Sequence, residues 1–147
     1  MLAEACCAAG RALDGERAVR SALACDPLDR ADRVAALTVL GRCGYLAGSP
    51  DRGSSALDQA VALAADHDPE AAIVALLHHA PSAWAAAGPG AALPFTVHAQ
   101  RLAAARDVDP LLREQAEATW GTTAAECGDP LGIAATLPVG RRVLGDP

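Results

Sequence analysis

Residues 37–69 read LTVLGRCGYLAGSPDRGSSALDQAVALAADHDP. Two punctuation marks stand in this stretch. Gly48-Ser49-Pro50 stops one helix and starts another. Glycine tolerates the left-handed C-cap, and proline costs nothing at the first helical position, where its missing N–H has no partner to lose. Asp68-Pro69 starts a third helix, with the Asp carboxylate as N-cap. Both marks recur. Gly88-Pro89-Gly90 and Gly128-Asp129-Pro130 repeat the first at intervals of 39 to 41 residues. Asp26-Pro27, Asp109-Pro110 and Asp146-Pro147 repeat the second, the four Asp-Pro pairs lying 42, 41 and 37 residues apart. Two interleaved marks with one period indicate a repeat array. Each repeat reads as cap, helix, Gly stop, Pro start, helix. The expected fold is all-α: a right-handed superhelix, or solenoid, of antiparallel helical hairpins with about eight helices.

The marks divide a single domain, residues 1–147, into a clipped hairpin (1–25) and three full repeats (26–67, 68–108 and 109–145). Apolar stripes at helical spacing support the division. Val19, Ala22 and Leu23 line a helix over about 15–25. Val34, Leu37, Leu40 and Gly41 line one over about 26–47. Ala56, Leu57, Ala60, Val61 and Ala64 line the next, and Val97, Leu102 and Ala105 one over about 90–106. Pro81, Pro94 and Pro138 fall inside helices and are expected to bend or split them. Neither end carries the polar capping unit that repeat arrays place at their termini. The chain therefore reads as a segment of a longer protein.

Composition narrows the function. Apolar residues make up 52% of the 147, aromatic residues 3%, and no β-branched alternation suggests a strand. All 12 basic residues are Arg and the net charge is −6, which argues against a nucleic-acid interface. The five cysteines show no CxxC spacing and follow no secretory leader, so reduced thiols and a cytoplasmic location are expected. Residues 71–100 contain no Asp, Glu or Arg. His78, His79 and the prolines interrupt this run, so it reads as buried helices or a self-association surface in 68–108, not as a membrane span.

Leu37-x-x-Leu40-Gly41 in one helix, with Gly53, Leu57 and Ala60 in the next, resembles the tetratricopeptide repeat. The period is nearer 40 than 34. In this respect the chain is most similar to the superhelical region of large ATP-binding LuxR-type transcriptional regulators. The resemblance implies a non-catalytic interaction or effector-sensing segment of a bacterial regulator; the alternative is a free-standing adaptor binding a partner protein or peptide. Neither a phosphate-binding loop nor a basic recognition helix occurs in these residues.

No residue set reads as catalytic, cofactor-binding or metal-binding. In Asp66-His67-Asp68 the last residue is already a cap, and adjacent His78-His79 lack the i, i+4 spacing that puts two imidazoles on one helix face. No Ser or Cys has a nucleophile's local partners. By analogy with the repeat family, the concave lining falls on Thr38, Arg42 and Tyr45, then His78 and Ser82, then Thr119 and Thr123, on a register shift of about 40. Trp84 and Trp120 are assigned to core or groove wall. The expected partner is a protein, a peptide or a small effector.

Overall fold

The computed structural model describes residues 2–25 and 28–136, and all regular structure in them is helical. The helices are α1 (Leu2–Ala8), α2 (Ala12–Cys25), α3 (Arg30–Leu46), α4 (Pro50–Ala64), α5 (Pro69–Ala87), α6 (Pro89–Ala105) and α7 (Pro110–Glu126). Residues 130–136 belong to an eighth, α8. Asp26-Pro27, Asp146-Pro147, Pro138 and the end of the last repeat lie outside the described residues. No helix among the described residues is long and apolar enough to cross a membrane.

The turns repeat because their chemistry repeats. Gly10, Gly48, Gly88 and Gly128 end α1, α3, α5 and α7, all at positive φ. Three of these ends are the same motif. The N–H of Gly48 donates to the Tyr45 carbonyl and that of Ser49 to Gly44. Gly10-Arg11 and Gly128-Asp129 make the equivalent pair of bonds. The Gly88 end differs because Pro89 has no N–H to give the second bond. Gly88 there adopts φ 84°, ψ −178°, a region open to glycine alone, and serves as both stop and start.

At the other turns, carboxylates cap the helix starts. Asp68 accepts from the Ala71 N–H at 2.9 Å, and Asp109 from Leu111 and Leu112 at 2.8 and 3.2 Å. The α3 start corrects the sequence reading. Its N-cap is Asp29, which accepts from the Asp32 N–H at 2.8 Å, so the helix opens three residues later than Asp26-Pro27 implied. Helix α2 opens earlier than expected, at Ala12 instead of Gly15. Helices α5 and α6 run unbroken through Pro81 and Pro94, so neither proline splits its helix.

Packing follows chain order: each helix touches the next. In the α3–α4 hairpin the backbones approach closely. A Cβ on Gly41 would fall inside the Leu57 side chain, and one on Gly44 would lie 2.9 Å from Gly53 Cα. One buried cluster joins Val34 and Leu37 to Ala56, Leu57, Ala60 and Ala64, and continues into Ala72 and Ala75 of α5. The other turns of α5 send Ile73 and Leu76 into a second cluster with Ala99, Ala103, Val108 and Ala116. Helix α5 therefore feeds both clusters, which accounts for most of its charge-free sequence. The buried face of α6 is Ala92, Thr96, Ala99 and Ala103, not Val97, Leu102 and Ala105; Ala105 is exposed and the other two are half-buried.

Contacts between non-adjacent helices give the array its sidedness. The leading helices touch one another, α1 with α3, α3 with α5 and α5 with α7. The trailing helices α2, α4 and α6 do not reach each other. The leading helices therefore form the inner layer, and their free face is the inner face of the array.

Candidate binding face

Two neighbouring clefts open on the inner layer. The first, about 310 Å³, is lined by α1, α3 and α5 and contains Thr38, Arg42, His78, Glu4 and Asp68. The second, about 330 Å³, lies between α3, α5 and α7, with Ala92 of α6 also lining it, and contains Tyr45, Trp84, Thr119, Thr123 and Glu126. The residues expected to line one groove are thus divided between two clefts: Thr38, Arg42 and His78 in one, Tyr45, Thr119 and Thr123 in the other.

Ser82 lines neither. It is fully buried, with its hydroxyl 3.5 Å from the His78 carbonyl. The reason is register. The Asp29 and Asp68 caps set the α3-to-α5 offset at 39 residues, not 40. Under that offset Arg42 corresponds to Pro81 and Tyr45 to Trp84, and both Pro81 and Trp84 line the second cleft. Counting from Asp29 is the signal that finds them. Glu126, in the last turn of α7, carried no sequence signal.

The threonine hydroxyls give their protons to their own helix. Thr38 donates to the Val34 carbonyl at 2.9 Å, Thr119 to Gln115 at 2.8 Å and Thr123 to Thr119 at 2.9 Å. What remains available is charge and aromatic surface. In the first cleft the Arg42 guanidinium is exposed. Burial pushes the His78 imidazole below its ordinary value, and Arg42 pushes the same way, so both favour the neutral form. In the second cleft Trp84 is 49% exposed, which places it in the groove wall and not in the core. Its indole N–H donates to Glu126 Oε2 at 3.1 Å, linking α5 to α7.

The neighbouring His79 faces the other way. It is buried, stacks on Phe95 with ring centroids 3.7 Å apart, and meets Asp58 through Nε2 at 3.0 Å. Only Cys7 and Cys43 are buried thiols. Their sulfurs lie 2.8 Å apart between α1 and α3, while Cys25 and Cys127 are exposed and Cys6 is half-buried. Among the described residues no group of three or more His, Cys, Asp or Glu side chains converges on a metal site. No family model, curated protein or solved structure matches the chain.

Proposed function

We propose that this chain is a non-catalytic helical-repeat segment that binds a protein or peptide partner, or a small effector, on the inner face of its leading helices. The observation that carries the reading is the adjacency of the two clefts along α3 and α5. A backbone pinned by repeated caps presents Arg42 and His78 in one and Tyr45, Trp84 and Glu126 in the other. Binding needs a rigid inner face with mixed lining, and stacked hairpins supply it. Catalysis needs a nucleophile, base or metal with positioned partners. The inner-face threonine hydroxyls and Nε2 of the buried His79 are instead occupied by structural bonds.

The host we propose is a bacterial transcriptional regulator of the LuxR type, working in the cytoplasm. This rests on the repeat period and on the Leu37 to Ala60 pattern. The test is the reading frame that encodes the chain. A phosphate-binding loop upstream and a helix-turn-helix downstream are expected, and a frame with neither overturns the regulator assignment. In the full-length protein, replacing Arg42, His78 and Thr119 together by Ala should abolish effector-dependent reporter activation with the melting temperature nearly unchanged. Full activation in that variant, or hydrolytic turnover by this segment, overturns the binding reading.

A further inference from the structure

The second cleft has a chemistry that the first lacks. It contains two aromatic side chains, Tyr45 and Trp84, and one carboxylate, Glu126. The Trp84 indole N–H holds Glu126 Oε2 at 3.1 Å, so the carboxylate is fixed beside the aromatic wall. Among the described residues Glu126 has no cationic partner. The hydroxyl protons of Thr119 and Thr123 are committed to carbonyls of α7. An anionic group entering this cleft meets Glu126 with no cation to offset it. A cationic group meets two aromatic side chains and a carboxylate with no cationic partner among the described residues. The remaining wall, including Leu77, Ala80 and Pro81, is apolar and suits an alkyl stem.

We infer that the cleft between Tyr45, Trp84 and Glu126 receives the ammonium group of a lysine side chain, unmodified or N-methylated, carried by a partner protein. The inference rests on the reading of the inner face as the binding surface and names the chemistry of its second cleft. The net charge of −6 attracts a basic segment. These 147 residues contain no lysine, so the same residues of a second copy cannot supply the group. The first cleft continues along α3 and α5 beside the second, so a peptide that places one side chain at Trp84 has a path onward to Arg42 and His78.

The test follows the indole N–H signal of Trp84 in a nuclear magnetic resonance titration of the whole chain, assigned with Trp84→Phe. The probes are Nα-acetyl-lysine methylamide, its Nε-trimethyl form, its neutral Nε-acetyl form, and choline. A saturable shift with the first or second probe, absent with the Nε-acetyl form, is expected. Glu126→Gln keeps an oxygen for the indole and removes the charge, so it should weaken binding by about tenfold or more. Its circular dichroism should match the parent. Absence of a saturable shift with both charged lysine probes overturns the inference, as does an unchanged affinity in Glu126→Gln. Saturation by choline but not by the lysine probes also overturns it, because the occupant is then a free small cation. If the lysine probes fail while the Arg42, His78 and Thr119 variant still loses activation, this inference falls and the inner-face reading stands. If the probes bind while that variant activates normally, the chemistry of the second cleft stands and the assignment of activation to Arg42, His78 and Thr119 falls.

Discussion

The α3–α4 and α5–α6 hairpins share a period and an Asp N-cap on the leading helix, yet they pack by opposite means. In the first, Gly41, Gly44 and Gly53 let two backbones meet, with Leu57 filling the space that a Gly41 side chain would need. In the second, the helix-lining glycine, Gly90, faces open space, and the contact is made by side chains: Ile73 and Leu76 against Ala99 and Ala103, and His79 stacked on Phe95. The period of a repeat array is therefore set at its turns, by Gly, Pro and Asp. The packing between turns is free to vary, and with it the side chains offered on the inner face.

The comparison breaks most visibly in the second hairpin. Leu76 is 2% exposed, and Leu76→Asp places a charge among apolar atoms with no partner. A loss on the order of 4 kcal/mol or more in urea unfolding is expected. Val97→Asp, at a half-buried site, should cost less. Equal and small losses at both sites would show that the α5–α6 contact is not the core described.

In the first hairpin Gly41→Ala should cost about 1–3 kcal/mol, because the new methyl group displaces Leu57. Combining it with Leu57→Ala should cost less than the sum of the two single changes, since the second makes room for the first. Strict additivity would deny the glycine-against-leucine contact. The same substitution at Gly90 carries the opposite sign. Nothing lies within 4 Å of a Cβ built there, so Gly90→Ala should stabilise by about 0.4–1 kcal/mol, read as a raised melting temperature.

The remaining expected effects are in pH. His78 has a lowered folded-state pKa, so below about pH 6.5 the unfolded chain takes up a proton that the folded chain resists. The stability from neutral His78 is present above that pH and is lost as the pH falls through the folded value. Wild type should lose more stability than His78→Gln between pH 7 and pH 5. Cys43 runs the other way. Burial, with the Cys7 thiol against it, pushes its pKa up from 9.0 to about 12. Its contribution is complete below pH 9 and is lost as the pH climbs toward 12, so Cys43→Ala should flatten the alkaline limb of the stability curve. A Cys43→Ala limb as steep as wild type would assign the loss to other groups.

The turns were legible because their chemistry is local. A Gly that must take positive φ, a Pro without N–H and an Asp that caps can be read within four residues, and Gly48, Gly88, Gly128, Asp68 and Asp109 occupy the expected roles. Asp29 was missed because Asp26-Pro27 offers the same signal three residues earlier, and only three-dimensional placement decides between two carboxylates. The expected shift of about 40 residues exceeds by one the 39 set by the Asp29 and Asp68 caps, which put buried Ser82 into the groove and left Trp84 out. The α6 face was misread for a different reason. In an Ala-rich helix the smallest residues mark the contact, since they allow close approach, and the larger Val97 and Leu102 lie at its margin. The linking bond from Trp84 to Glu126 spans 42 residues and has no local signature.

The inner face is tested most directly by titrating the isotope-labelled chain with a pool of random decapeptides and mapping the amide shifts. Shifts concentrated on α3, α5 and α7, at Thr38, Arg42, His78, Thr119 and Thr123, are the expected result. Shifts confined to the trailing helices α2, α4 and α6, or no saturable shift anywhere on the chain, would contradict the assignment of binding to the inner layer.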